Sequence, residues 1–314
     1  MRSRPPLFAP IAVLLLAATP PAPLPRLEDA PADTFSGVAR IVAVGDVHGD
    51  VEALKEVLRL AKVIDDQGRW VGGKTHLVQT GDVADRGDHT REAFELLMRL
   101  EKEALAAGGR VHALLGNHEV MNMLGDLRYT TPGELASFKD QSPEPDDREL
   151  PGTHGHRAAY GPEGRYGRWL RTHPAVIRIN DTLFVHGGVS DQLSLKTLGE
   201  INQWVRGDLF SGAPGGGGKN PGGPLWYRGF SLEMPGSDGA SALQRVLEHF
   251  GAKRMVMGHT TQADGKLHTR FAGRAVLIDT GVSSYAGRHL AALEIRGDTL
   301  TALYPQGREP LTEK

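Results

Sequence analysis

Gly116-Asn117-His118-Glu119 follows an apolar run, Val111 to Leu115. The run reads as a buried strand. The glycine at its end permits a sharp turn. An amide, an imidazole and a carboxylate then sit at the tip of an apolar element, where rigid strands commonly present reactive groups. Alone, this tetrapeptide is an ordinary turn. Four other segments share its design. Ala39 to Val44 runs into Gly45-Asp46-Val47-His48-Gly49-Asp50, and His76 to Gln79 runs into Gly81-Asp82-Val83-Ala84-Asp85-Arg86-Gly87. Thr182 to Val185 ends in His186-Gly187-Gly188, and Arg254 to Met257 ends in Gly258-His259-Thr260.

Helical patterns alternate with these strands. Val51, Leu54, Val57, Leu58 and Ala61 recur at helical spacing behind a capping Asp50. Phe94, Leu97, Met98 and Leu105 form a second stripe, with Gly108 just beyond. The alternation predicts an α/β fold with ligand-bearing loops at the carboxyl ends of strands. Asn180-Asp181 predicts a hairpin between Val176–Ile179 and Thr182–Val185. A helix is expected over Ala240 to Phe250, then strands near Val276 and Leu290 and a Gly297-Asp298 hairpin.

The strand ends supply Asp46, His48, Asp82, Asn117, His186 and His259. This mix of oxygen and nitrogen donors suits manganese, iron or zinc better than magnesium. One metal with open positions needs fewer ligands; two metals sharing a carboxylate would use the whole set. Any one cluster is better explained as a turn, but five in series are not. Because they must converge, one catalytic domain is expected over 38–308, followed by a tail, 309–314.

Composition narrows the chemistry. The chain has no cysteine, so disulfides, thiolate ligands and a cysteine nucleophile are excluded. A net charge of -2 argues against a nucleic-acid surface. Residues 1–22, with Arg2 and Arg4 before an apolar run, read as a signal peptide, with an uncleaved membrane anchor as the alternative. Export to the periplasm or outside the cell is therefore expected. Residues 23–37 read as a Pro/Ala-rich linker. Residues 126–165 lack periodicity and read as a surface loop insertion, or as a lid. His154 and His156 within it are spaced like ligands but are expected to be exposed. Gly215-Gly216-Gly217-Gly218-Lys219 fails the phosphate-binding loop pattern and reads as a flexible loop.

The three motifs around Asp46, Asp82 and Asn117 resemble the signatures of phosphoprotein phosphatases, within the calcineurin-like metallophosphoesterases. His186-Gly187-Gly188 and Gly258-His259 resemble that family's remaining metal motifs. Asn117-His118-Glu119-Val120-Met121-Asn122 and Leu225-Trp226-Tyr227-Arg228-Gly229 look most like the Shewanella-like phosphatases. Ala84 departs from the family's usual Val, at a position between ligands. The resemblance implies a β-sandwich flanked by helices, α/β/β/α, with a dinuclear site at strand ends. It implies two divalent or trivalent ions, manganese foremost, with iron or zinc as alternatives. Asp46 and His48 would hold one ion, Asp82 would bridge, and Asn117, His186 and His259 would hold the other.

The same resemblance implies hydrolysis of a phosphate monoester by a metal-bridging hydroxide. His118 would be the general acid, Asp85 would orient it, and Glu119 would support the loop. Arg86 and Arg228 are candidates to hold the phosphate, since a guanidinium can bind two oxygens at once. The substrate is expected to be a protein phosphorylated on serine, threonine or tyrosine. The alternatives are a small phosphoester, as for a dinucleoside tetraphosphate hydrolase, and a non-catalytic metal-binding module. No nucleic-acid partner is expected, and a membrane partner only through an uncleaved anchor.

Overall fold

The computed structural model describes residues 32–143, 149–211, 216–232 and 238–312. The proposed signal segment and most of the linker lie outside them, as do 144–148 of the insertion. Among the described residues, no helix is long and apolar enough to cross a membrane.

Two six-stranded sheets carry the fold. One contains β2 (Ile41–Val44), β3 (His76–Gln79) and β4 (Arg110–Ala113), which pair in parallel. Its other half is antiparallel: β10 (Ala292–Arg296), β11 (Thr299–Tyr304) and β12 (Gly307–Pro310). The second sheet runs in the order β1 (Thr34–Phe35), β5 (Val176–Ile179), β6 (Thr182–Val185), β7 (Arg254–Met257), β9 (Ala275–Leu277), β8 (His268–Arg270). The hairpin at Asn180 forms as expected, with Asn180 at φ 54°. Strands β1 and β12 extend the sheets into segments expected as linker and tail.

Alternation along the strands builds the layers. Ile41, Ala43, Val78, Ile177, Phe184, Val256 and Leu293 fill the space between the sheets. Their neighbours point outward. Val42, Val44 and Leu77 meet α1 (Val51–Leu60) and α2 (Thr90–Ala106). Leu183, Val185, Met255 and Met257 meet α7 (Leu198–Ser211) and α8 (Gly239–His249). A side-chain period of two gives each strand two apolar faces, and each sheet therefore needs a cover on both sides. The result is the expected α/β/β/α sandwich. Asp50 caps α1, accepting from Ala53 N at 2.9 Å.

Three expectations change. Leu105 is 61% exposed, because it lies at the margin of the buried stripe of α2, which runs through Ala93, Leu97, Leu100 and Ala104. The 126–165 insertion contains helices, with α3 (Asn117–Met123) before it and α4 (Pro132–Ser137), α5 (Thr153–Tyr160) and α6 (Arg165–Leu170) in or beside it. Leu135, Phe138, Ala159 and Tyr160 are buried there, the last three in the core that contains Phe94. His156 is fully buried, not exposed, with its ring stacked 4.3 Å from that of Tyr160. A helix start was legible in Thr131-Pro132-Gly133-Glu134: Thr131 Oγ1 accepts from Glu134 N at 3.0 Å, with Pro at the first helical position.

Candidate metal and phosphate site

The loops after β2, β3 and β4 leave one sheet, and those after β6 and β7 leave the other. They meet at a common edge, and all six predicted ligands are buried there. Two motif glycines make the meeting possible. Gly116 has φ -101°, so it is extended and makes no left-handed turn. A Cβ on it would stand 2.2 Å from Asp82 Oδ1, and one on Gly258 would stand 2.5 Å from Asp46 Oδ1. These glycines therefore clear space for carboxylates.

Five site residues adopt the left-handed backbone region that L-residues rarely enter: His48 (47°), Asp82 (56°), Asp85 (70°), Arg86 (67°) and His259 (64°). Such conformations persist only where surroundings over-determine them, and they concentrate at functional sites. Glu119 supplies part of that restraint. Its carboxylate accepts from Asp82 N and Gly116 N at 2.8 Å each, Val83 N at 2.8 Å and Ala84 N at 3.0 Å. It thus pins the Asp82 loop to the Asn117 loop, the supporting role expected of it. Burial and the Asp82 charge push the Glu119 carboxyl up, and these N–H donors oppose them.

The imidazoles are aimed by main-chain carbonyls. His48 Nδ1 lies 3.1 Å from Ala84 O and His186 Nδ1 lies 3.0 Å from Thr80 O. Each donation leaves a bare Nε2 facing inward, as a metal-binding histidine requires. Ala84 contributes only backbone groups, which explains why its small side chain is tolerated. Burial holds His48 neutral, its pKa lowered to about 4, and lowers His259 to about 2.

Asp82 is shared by two groups of donors. Its ligand atom lies within 4.8 Å of those of His48 and His118 on one side, and within the same limit of His186 and His259 on the other. His186 Nε2 is 3.1 Å from Asp82 Oδ2 and 3.0 Å from Asn117 Oδ1. Asp46 Oδ2 is 3.9 Å from His48 Nε2, and the Asp46 carboxylate accepts from His259 N at 3.1 and 3.2 Å. Burial, then Asp279 and Asp82, drive the Asp46 carboxyl well above its usual range. Asp279, which the sequence reading missed, is a buried third carboxylate that follows β9.

The donor set fits a pair of cations. Among the described residues, the ion-pair partners of Asp46 and Asp82 are imidazoles only. His259 Nε2 is buried without a hydrogen-bond partner. Crowded carboxylates and an orphaned imidazole nitrogen are costly unless something positive joins them.

Beside this cluster, His118 Nδ1 donates to Asp85 Oδ2 at 2.6 Å, and both side chains are buried. Burial acts to lower the His118 pKa, but the Asp82 and Asp85 carboxylates outweigh it and raise it. Arg86 lies over the rings of Tyr129 and Tyr285, at 5.6 and 5.2 Å, with its Nε buried and unpaired. Arg228 donates through Nη1 to His259 O and Thr260 Oγ1, both at 2.8 Å. Burial lowers its pKa, and the Asp46, Asp82 and Asp279 charges oppose that. His154 and His156 belong to α5 and take no part in the donor set.

A family model described as calcineurin-like phosphoesterase matches residues 39–263. The chain belongs to the calcineurin-like phosphoesterase family. It is 34% identical to Shewanella-like protein phosphatase 2 of Arabidopsis thaliana, over 84% of this chain and 77% of that one. It is 30% identical to Shewanella-like protein phosphatase 1 of Plasmodium berghei, over 81% and 70%. The solved cold-active protein-tyrosine phosphatase of a psychrophilic Shewanella sp. superposes with a TM-score of 0.77 at 29% identity, covering 92% of this chain and 85% of that one. The calcineurin-like family uses a dinuclear metal site, and this member carries the fold and clustered candidate ligands for one. It is a metal-dependent phosphatase.

Proposed function

We propose that this phosphatase hydrolyses phosphorylated proteins, with manganese as its metal and as an exported enzyme. The observation that carries the metal reading is the position of Asp82 between two groups of donors. Asp46 and His48 would hold one ion, Asn117, His186 and His259 the other, and Asp82 both. When bound, the pair supplies an activated water and neutralises phosphate charge.

The chain's own residues do the remainder. Arg86 and Arg228 flank the cluster and would bind the phosphoryl oxygens. Arg86 lies over two tyrosine rings, and Arg228 is tied to the backbone of His259, which lowers the cost of ordering Arg228 on binding. His118 holds its proton for the leaving oxygen at Nε2, because Nδ1 is committed to Asp85. The protein-substrate reading is supported by the names of the Arabidopsis, Plasmodium and Shewanella relatives.

The test strips metal from the protein and restores manganese, iron or zinc. Each form is then assayed on a phosphotyrosine peptide, a phosphothreonine peptide and diadenosine tetraphosphate. Manganese-dependent peptide turnover is the expected result. Turnover of the dinucleotide alone would assign the small-molecule alternative, and loss of the metal requirement would overturn the reading. Export rests on the basic start and apolar run of residues 1–22. Cell fractionation should find the chain outside the cytoplasm; a wholly cytoplasmic product would reject export.

A further inference from the structure

Asp85 has two carboxylate oxygens, and the His118 hydrogen bond uses only Oδ2. Oδ1 accepts from the Thr130 hydroxyl at 2.8 Å, its only hydrogen-bond partner among the described residues. The Asp85 carboxylate is fully buried, and half-buried Thr130 is the donor that meets its Oδ1. Thr130 Oγ1 also lies 3.1 Å from Asn122 Oδ1. It has one proton to give, and the carboxylate oxygen of Asp85 is the nearer acceptor.

Thr130 sits on a firmly anchored strap. Tyr129 O accepts from Arg86 N at 3.0 Å, and Thr131 Oγ1 donates to Asp88 Oδ1 at 2.5 Å. The Tyr129 ring lies 5.1 Å from that of His118. Thr131 caps α4, so the strap is backed by a helix. Asp85 and Arg86, which it grips, are consecutive left-handed L-residues that need such outside restraint. Asn122 closes the arrangement, donating through Nδ2 to His118 O at 2.9 Å.

We propose that Thr130 is a positioning residue, whose hydroxyl orients Asp85 so that Asp85 keeps the His118 proton directed at the leaving oxygen. The proposal rests on the reading of His118 as general acid. It assigns the start of the 126–165 insertion a part in the reaction.

A strap that merely tethers the loop would slow all substrates alike. One that serves the acid would slow those that need a proton. Thr130→Val keeps the branched shape and removes the hydroxyl; Thr130→Ser keeps the hydroxyl and removes the methyl. Each is assayed with phenyl phosphate, a poor leaving group, and p-nitrophenyl phosphate, whose phenolate departs readily without a proton. The expected result for Thr130→Val is a fall of about tenfold in kcat on phenyl phosphate, a part of the 10²- to 10⁴-fold that a placed acid supplies, because His118 itself remains. Turnover of p-nitrophenyl phosphate, KM and metal content should hardly change, and Thr130→Ser should behave as the parent. Equal losses on both substrates, no loss on either, or a defect in Ser that Val lacks would each overturn the proposal. His118→Asn run alongside separates the two readings: if its loss does not depend on the leaving group, the general-acid reading itself fails.

Discussion

Asp82→Asn is expected to lower kcat by about 10³-fold or more, since Lewis-acid stabilisation of a transferring phosphoryl group is worth several kcal/mol. The substitution keeps the size of the side chain and removes its charge. It strikes the one carboxylate that both donor groups contain. Oδ1 still accepts from His118 N (2.9 Å in the parent), so the loop geometry should survive. What goes is the negative charge beside His186 Nε2 at 3.1 Å and His118 Nε2 at 3.8 Å. Burial opposes ionisation of Asp82, yet His186, His118 and His48 hold its carboxyl well below the ordinary range. Metal content measured by mass spectrometry should drop from two ions per chain to one or none. The melting temperature of the metal-free protein should hold, because an uncompensated buried charge is itself costly. Two ions per chain with full activity in the variant would remove Asp82 from the bridging position.

His118→Asn carries the second large effect, a loss of about 10²- to 10⁴-fold in kcat, the usual contribution of a placed acid or base. The geometry poses a sharp question here. His118 Nε2 lies in the donor group with His48 and Asp82, so the same imidazole could ligate a cation. Asp46 approaches His48 equally, at 3.9 Å. If His118 is the acid, the variant should retain two metal ions and nearly the parent KM, with the loss confined to kcat. If His118 is a ligand, metal content should fall with activity. Loss of an ion together with activity would transfer that position from Asp46 to His118.

The strand-end motifs were legible because each is a local pattern. An apolar run of four to six residues followed by Gly and a polar ligand specifies where a strand stops and what it presents. β3 and β7 begin and end where the pattern places them. Glu119 could be assigned a supporting role, and the donor types pointed to a mixed oxygen and nitrogen site. The insertion was misread because its helices are short and interrupted, leaving too few turns for a periodicity to register. Their start signal at Thr131-Pro132 was present but carries little weight without the packing against Phe94.

Local pattern alone thus determined the five ligand-bearing strands, the loops at their ends and the six candidate ligands. Only the tertiary structure decided how two sheets face each other so that Asp46 accepts from His259 N and His186 Nε2 comes within 3.1 Å of Asp82 Oδ2. It alone showed Gly116 and Gly258 as clearances for carboxylates, the left-handed backbone of five site residues, Asp279 beside Asp46, and Thr130 against Asp85. The physical reason is range. Periodicity and turn chemistry act over a few residues, whereas these contacts join segments brought together by burial of the core between the sheets, a force without direction or sequence address.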